Sequence, residues 1–414
     1  MFSSFATALS ALSAQSAAVD AVGSNLANLN TPGYKATAVS FHDLVLESAG
    51  AGLTQTQLRT GVGVPTLLRQ FSQGAIQSTS GALDAAIQGG GFLIVRDSAG
   101  AQLYTRAGQL QVDKSGYLVT ATGERVQGWT ERDGALTTTD ALTDISIPVG
   151  TLRPPRASTQ FSLDLNLDAA ATAGPPPAQF SSSIEVFDSL GNSHLVTVTC
   201  TKNANPNQWD YSIGFPAAEL TSSLAPLTGT LTFNAGGTLS EPGPAGPWPA
   251  LSVTGLAGGA QDLNLAWNLY SGQTARITQY AQPSAVSANA QDGVPAAQLL
   301  GVGLADGGQI VAAYSSGERS VAGQLALAAI RNPESLLAAG NSAYRLSAAS
   351  AAPVAGLPGT GGRGNVVGGA IEASNVDLAR EFTNLIVFQR SYQANARVVT
   401  VTDEMSQETL NLKR

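Results

Sequence analysis

Charge is what this 414-residue chain has least of. Only 12% of its residues are Asp, Glu, Lys or Arg, about half the ~25% of an ordinary soluble domain. The charges sum to −8. No basic run or basic-aromatic patch occurs, which argues against a nucleic-acid partner. Histidine appears twice, as His42 and His194, and cysteine once, as Cys200. An intramolecular disulfide is therefore impossible, and a metal cluster or Cys-His dyad would have to be built from three scattered residues. Cys200 lies in the alternating run HLVTVTC and reads as a buried strand residue. No apolar run reaches the ~18–20 residues of a membrane helix, so membrane insertion is not expected. The stretch SALSAQSA offers small residues but no basic region precedes it, so a cleaved signal peptide is not expected either. Aromatics make up only 6%, against 45 Gly and 20 Pro. That balance favours many short strands and turns. On a prior of ~150 residues per domain, the length suggests two to three domains.

The first 34 residues contain neither Lys nor Arg. What they contain is a period. Phe5, Leu12, Val19 and Leu26 recur every seven residues, and Leu9 belongs to a second stripe. The spacing predicts a helix over 3–29 with a narrow apolar seam. Its opposite face is Ala, Ser, Thr and Gln rather than Lys and Glu, which suits a helix packed on several sides. Asn30, Pro32 and Gly33 then stop it. The C-terminus repeats the design. Leu378, Leu385, Tyr392 and Val399 form one seven-residue series, and Phe382 leads another. Ser374 is the expected N-cap, with Asp377 complementing the helix dipole. Two such helices can pair as an antiparallel coiled coil or cover a sheet separately. Periodicity alone leaves both open.

Between the ends the period changes to two. GFLIVRD, QLYTRAG, LQVDKSGYLVT and ERVQGW read as strands, and GQIVAAYSSG to GQLALAAIRN forms a late group. A proline boundary, IPVGTLRPPRAS, opens a third strand-rich region. The expected fold class is mainly β with α-helical termini: nested β domains plus a terminal antiparallel helical coiled coil. The expected layout is residues 1–29 and 375–414 as the helical domain and 30–75 as a connecting arm. Residues 76–147 and 284–374 make a first β domain with a flexible Gly-rich return, and 148–283 an inserted outer β domain.

Motifs that carry chemistry fail on context. GTGGRG, residues 359–364, has the G-x-G-x-x-G spacing, but no apolar strand precedes it and no helix follows. Asp164, Asn166 and Asp168 begin like a calcium loop, yet Ala169 and Pro175 stand where Gly and Glu are needed. No spacing singles out a catalytic carboxylate pair. Hence no catalytic residue, cofactor or metal is expected.

Two motifs nevertheless carry a resemblance. NLANLNTPGYK, residues 25–35, resembles the N-terminal signature of the bacterial flagellar axial proteins of the rod and hook. EASNVDLAREFTNLIVFQRSYQANARVVTVTDEM resembles their C-terminal signature, and YTRAGQLQVDKSGYLVTATGERVQGW their shared β domain. IEVFDSLGNSHLVTVTCTKNANPNQWDYSI is similar to the insertion of the hook-forming branch, and IRNPESLLAAGNSAYRLS fits as well. The likeness spans nearly the whole chain and is thinnest over 217–283.

The resemblance implies a structural subunit and not an enzyme. It implies self-association into a helical tube that is curved, flexible and hollow, working as a universal joint and an export channel. The implied partners are further copies of the chain, a distal rod protein, a hook cap protein, a hook-filament junction protein and the flagellar type III export apparatus. The implied location is the flagellar basal body and hook, outside the cell. Phe5, Leu9, Leu12, Val19, Leu26, Leu378, Phe382, Leu385, Tyr392 and Val399 become the expected coil and assembly residues. Asn25, Asn28, Thr31, Pro32, Gly33 and Tyr34 become the turn motif, with Gly33 at positive φ and Tyr34 anchoring the arm. Two rivals stay open: a straight rod-type axial protein, and a secreted β-rich protein or enzyme whose helices merely pack on its sheets.

Overall fold

A computed structural model describes residues 2–47, 57–131, 136–150 and 152–411. The fold is mainly β, with a long helix near each end of the chain. Two compact units emerge. The first comprises Met1–Val149, Gly301–Ala313 and Arg319–Arg414; the second comprises Gly150–Leu300 and Tyr314–Glu318.

Helix α1, Phe2–Ala27, and helix α2, Leu378–Asn411, both belong to the first unit. At ~1.5 Å per residue they are roughly 39 and 51 Å long. Neither sequence contains Pro, and α1 is rich in Ala, the best helix former. Neither is long and apolar enough to cross a membrane. Turn residues follow α1 at once, and Thr31-Pro32-Gly33 ends any chance of continuation. The start of α2 corrects the expectation for its cap. Asp377, not Ser374, is the N-cap: its Oδ1 accepts from the backbone N–H of Ala379 at 2.9 Å and of Arg380 at 3.2 Å. Ser374 Oγ instead accepts from Val376 N at 3.4 Å, inside the preceding turn. A carboxylate one residue before the helix answers both the free N–H groups and the dipole, so it outcompetes a hydroxyl placed three residues earlier.

The segment expected as an arm is itself strand-paired. Thr37–Ser40 runs antiparallel to Thr66–Arg69, and Asp43–Glu47 to Gln57–Val62. Beyond it, a twisted antiparallel sheet is ordered Gln309–Tyr314, Arg319–Leu325, Arg125–Thr130, Phe92–Arg96, Gln102–Thr105, Ala343–Arg345, Leu337–Gly340. Phe92, Ile94, Tyr104, Trp129, Ala328 and Tyr344 form its core. The return to α2 is not a free linker. Asn365–Gly368 pairs with Ala85–Gln88, and Ala370–Glu372 with Ile76–Ser78. Alternating small and apolar residues there satisfy a ladder, which a Gly-rich reading overlooks.

The second unit is a sandwich of two five-stranded sheets. One is an antiparallel meander through Gln179–Phe187, Ser193–Lys202, Gln208–Gly214, Leu227–Phe233 and Leu239–Glu241. The other centres on Gln160–Asp168, which turns Phe161, Leu163, Leu165 and Leu167 into a core shared with Val196, Val198, Cys200, Trp209 and Trp267. Phe161 stacks on Trp267, and Tyr211 meets that indole edge-on. Burial pushes the Cys200 thiol up to about 12. Asp164, Asn166 and Asp168 occupy the alternate positions, as a half-exposed strand requires, and Asp164 pairs with Arg276 at 2.7 Å. One boundary shifts. Ala285–Gln291, read from sequence as part of the first β domain, is hydrogen-bonded along Gln160–Asp168 in the second unit. Its small polar residues carry no core stripe by which sequence could place it.

Candidate assembly site

The helices meet antiparallel. The residues after α1 bind those before α2: Gly33 N donates to Glu372 O at 2.8 Å and Asn375 N to Tyr34 O at 3.4 Å. Further along, Ser16 and Val19 share an open gap of about 260 Å³ with Gln389, Tyr392 and Gln393.

The seam is not where seven-residue counting puts it. On α1 the buried residues are Ala8, Ala14, Ala18, Ala21, Val22 and Asn25. Leu12, Val19 and Leu26 are half-buried, while Phe5 and Leu9 are 40% and 55% exposed. The stripe Ala14, Ala18, Ala21, Asn25 keeps coiled-coil spacing but lies roughly a third of a turn from the Leu stripe. The cause is a second neighbour. The strand Gln57–Val62 also packs on α1, and Val62 N donates to Ser10 Oγ at 3.2 Å. Only small side chains let backbones approach a helix from two sides. On α2, Leu385 and Val399 are half-buried in the packed face, together with Phe388, Asn395 and Thr402. Phe388 meets Phe41 edge-on at 5.9 Å. Leu378, Phe382 and Tyr392 are 45%, 50% and 44% exposed. Of the expected coil residues, Leu12, Val19, Leu26, Leu385 and Val399 are half-buried in the single chain. The other five are more exposed, although Tyr392 lines the same gap as Val19.

The turn motif closes on itself and on the far end of the chain. Gly33 adopts φ +69, and a Cβ there would lie 2.4 Å from Ala107 N. Asn25 is buried, and its Oδ1 accepts from Thr37 N at 2.9 Å and Tyr34 Oη at 3.3 Å. Asn28 Oδ1 accepts from Thr31 Oγ1 at 3.1 Å, which tightens the turn into Pro32.

Below the turn lies a buried ionic cluster. Lys35 and Glu372 have fully buried side chains 2.6 Å apart, and Arg106, 5% exposed, reaches Glu372 Oε2 at 3.1 Å. Lys35 also donates to Ser72 O at 2.7 Å, and Gly74 N donates to Glu372 Oε1 at 2.9 Å. Burial lowers the Lys35 ammonium below its ordinary range, opposed by Glu372 and seconded by the Arg106 charge. Beside it, Asn375 accepts from Ala36 N at 2.7 Å and donates to Gln70 O at 2.8 Å. Sequence reasoning did not single out Lys35, Arg106, Glu372 or Asn375. A signal existed for one of them. Lys35 is the only Lys or Arg in the first 58 residues, and a lone cation in a segment so poor in charge marks a candidate ion pair.

The remaining chemistry-bearing residues serve local structure. His42 Nε2 lies 3.0 Å from Thr66 Oγ1. His194 sits between Asp188, 3.2 Å from its Nε2, and Glu219, which contacts its Nδ1. Arg363 of GTGGRG folds back to donate to Leu357 O at 2.9 Å. Among the described residues, no group of three or more His, Cys, Asp or Glu side chains is placed to hold a metal ion.

Four family models match the chain. They are Flagella basal body rod protein over residues 5–35, Flagellar hook protein FlgE/F/G D1 domain over 86–162, Flagellar basal body protein FlaE D2 domain over 166–294, and Flagellar basal body rod FlgEFG protein C-terminal over 367–412. The flagellar hook protein FlgE of Borreliella burgdorferi is 32% identical, with 100% of both chains covered. That of Escherichia coli is 31% identical over 99% of this chain and 100% of its own. Among solved structures, Helicobacter pylori flagellar hook protein FlgE2 shares the fold, with a TM-score of 0.53 and 14% identity over 70% of this chain and 99% of its own. The ends that meet at the Lys35–Glu372 cluster, the sheets between them and full-length likeness at about 30% identity lead to one conclusion: the chain belongs to the flagellar hook protein family.

Proposed function

We propose that this chain is the repeating subunit of a curved, flexible hook tube, which transmits torque from rod to filament and passes exported proteins along its bore. One observation carries the reading. α2 leaves Phe382, Ile386, Val387, Val398 and Met405 between 45% and 56% exposed on the side away from its buried Glu381. Exposed apolar side chains concentrated on one element mark an interaction surface. In a tube, neighbouring copies cover these residues, and the scarcity of charge along α1, whose one charged residue is Asp20, follows. The contact is heterologous, because α2's outer face meets a different surface of the next copy; repeated without closure, such contacts generate a helical filament.

The work of this chain is mechanical, and no catalytic step belongs to it. Its partners at the two ends of the tube are a distal rod protein below, and a cap and then a junction protein above. Delivery is by the flagellar type III export apparatus. The helices and segment 30–75 form the inner tube and its connecting arm, and the β units form the outer layers. Electron microscopy of the purified chain after induced polymerisation tests this. Curved, flexible hollow tubes are expected. Straight rigid tubes would move the chain to the rod class, and persistent monomers would overturn the reading.

A further inference from the structure

The helix pair is long, yet little in its seam dictates how far one helix slides along the other. On α1 the buried residues are mostly alanine; on α2 the one buried side chain among the described residues is Glu381. Alanines at successive turns offer equivalent seats, so a seam of this kind specifies register weakly. The register must be imposed from elsewhere.

We propose that Glu372 is a positioning residue that imposes it, acting as a latch between the two ends of the chain. Its partners come from three distant stretches: Lys35 just after α1, Gly74 at the end of the arm, and Arg106 in the β unit. Glu372 itself stands six residues before α2 begins. Its backbone carbonyl also takes Gly33 N at 2.8 Å. Closing this one carboxylate therefore fixes where both helices leave the β unit, and through that which residues of α1 lie opposite which residues of α2.

Charge counting explains why Glu372, rather than either cation, is the key piece. With all three groups ionised, the cluster holds two positive charges and one negative. Removing Lys35 leaves Arg106 and Glu372 balanced. Removing the carboxylate leaves two like charges buried within reach of each other, which is far costlier than losing one member of a balanced set. Arg106 has no spare partner for relief: its Nε is already buried without one, and its other amino group is committed to Gly89 O at 2.9 Å. The latch also closes only when both chain ends are present, since Lys35 and Glu372 are 337 residues apart. A chain with one end unfolded keeps its helices out of register. This rests on the proposal that the helix pair is the assembling element.

Thiol cross-linking of the free full-length chain tests the latch, in a Cys200→Ser background. Val19→Cys with Gln389→Cys reports the native register, since both positions line the same gap. Val19→Cys with Ala396→Cys reports a slip of one heptad. The native pair is expected to dominate in the parent. Glu372→Gln should lower its yield at least about tenfold and raise the slipped pair. Lys35→Met should fall between the two, and Glu372→Asp should restore part of the native yield. An unchanged cross-link pattern in Glu372→Gln, with the Trp129 environment of the β unit intact, overturns the latch. If Glu372→Gln does not fold, Lys35→Met decides: a native pattern there overturns the proposal, and a partial slip supports it. Microscopy of the parent is read separately, so failure to form tubes would sink the assembly reading without touching the register result.

Discussion

Asn25 and Thr37 hold each other in both directions. The Asn25 Nδ2 donates to the Thr37 carbonyl at 2.9 Å, and Asn25 Oδ1 accepts from the Thr37 N–H at 2.9 Å. A side-chain amide thus mimics a strand partner for Thr37, the first residue of the strand Thr37–Ser40, while its own backbone is still in α1. The chain is folded back on the helix that precedes it, and the turn between them has one allowed shape. Asn25→Asp should be worse than Asn25→Ala. Either change loses the donor to Thr37, and the aspartate adds a buried charge. The alanine variant should cost about 2–3 kcal/mol, from three lost hydrogen bonds, the one from Tyr34 Oη included, and an unsatisfied Thr37 N–H. Denaturant melts of the full chain measure it, and equal midpoints for wild type and both variants would rule the clasp out.

Gly33 should tolerate no side chain. Its φ of +69 costs an L-residue about 1–2 kcal/mol by itself. The backbone of Arg106 and Ala107 then lies within 2.4–2.8 Å of where a Cβ would sit. Backbone cannot swing aside as a side chain can, so Gly33→Ala should also displace Arg106 from Glu372. Loss of hydrogen-exchange protection at the starts of the strands near residue 74 and in α2 is the expected signature. A variant with native exchange rates would show that the turn relaxes freely.

These two residues mark how much could be read from the sequence. The helices, their rough limits and the turn were legible because period and punctuation are local signals. The turn at Gly33 was legible from Pro-Gly after a helix, and its positive φ from the family motif that the segment resembles. Leu9 and Phe382 were legible as apolar residues of a helix but not as outward-facing ones. The choice between an Ala face and a Leu face depends on the strand Gln57–Val62, which occupies one flank of α1, and no count along α1 contains it. Lys35 and Glu372 sat inside the two signatures, yet a pair separated by 337 residues leaves no spacing to detect. The cap at Asp377 was misplaced by three residues, since capping is decided by which carboxyl or hydroxyl reaches the free N–H groups.

The outward residues divide cleanly from the inward ones in their expected effects. Phe382→Asp changes a side chain that is half exposed in the single chain, so folding stability should move by no more than about 0.5 kcal/mol. Polymerisation should nevertheless stop, because a buried unpaired carboxylate would form at the contact between copies. Leu385→Asp changes a half-buried side chain, and should loosen the helix pair in the free chain and stop polymerisation as well, leaving the β units folded. Circular dichroism of the monomers and sedimentation after induced assembly separate the cases. Normal polymers from Phe382→Asp would mean that α2's outer face stays in solvent.

The second unit should be acid-labile below the ordinary carboxylate range. Burial pushes the Asp188 carboxyl up, but hydrogen bonds from Asn192, His194 and Leu190 outweigh it and hold the carboxyl low. Asp292 follows the same pattern, with burial overcome by Thr159 and Gln160. A carboxyl depressed in the folded state contributes stability that is present above its unfolded value, near ~3.9, and disappears as pH falls through the lower folded value. Melting temperature should therefore be level from pH 5 to 8, on the order of the usual stability plateau, and fall steeply below about pH 4. Fluorescence follows this unit well, since Trp209, Trp248 and Trp267 all belong to it. Asp292→Asn keeps an acceptor for Thr159 N and Gln160 N but cannot titrate, so its acid limb should be shallower than that of the parent. Identical acid limbs would mean that this carboxylate is as well solvated in the folded chain as in the unfolded one, and that the three donors around it contribute nothing that depends on charge.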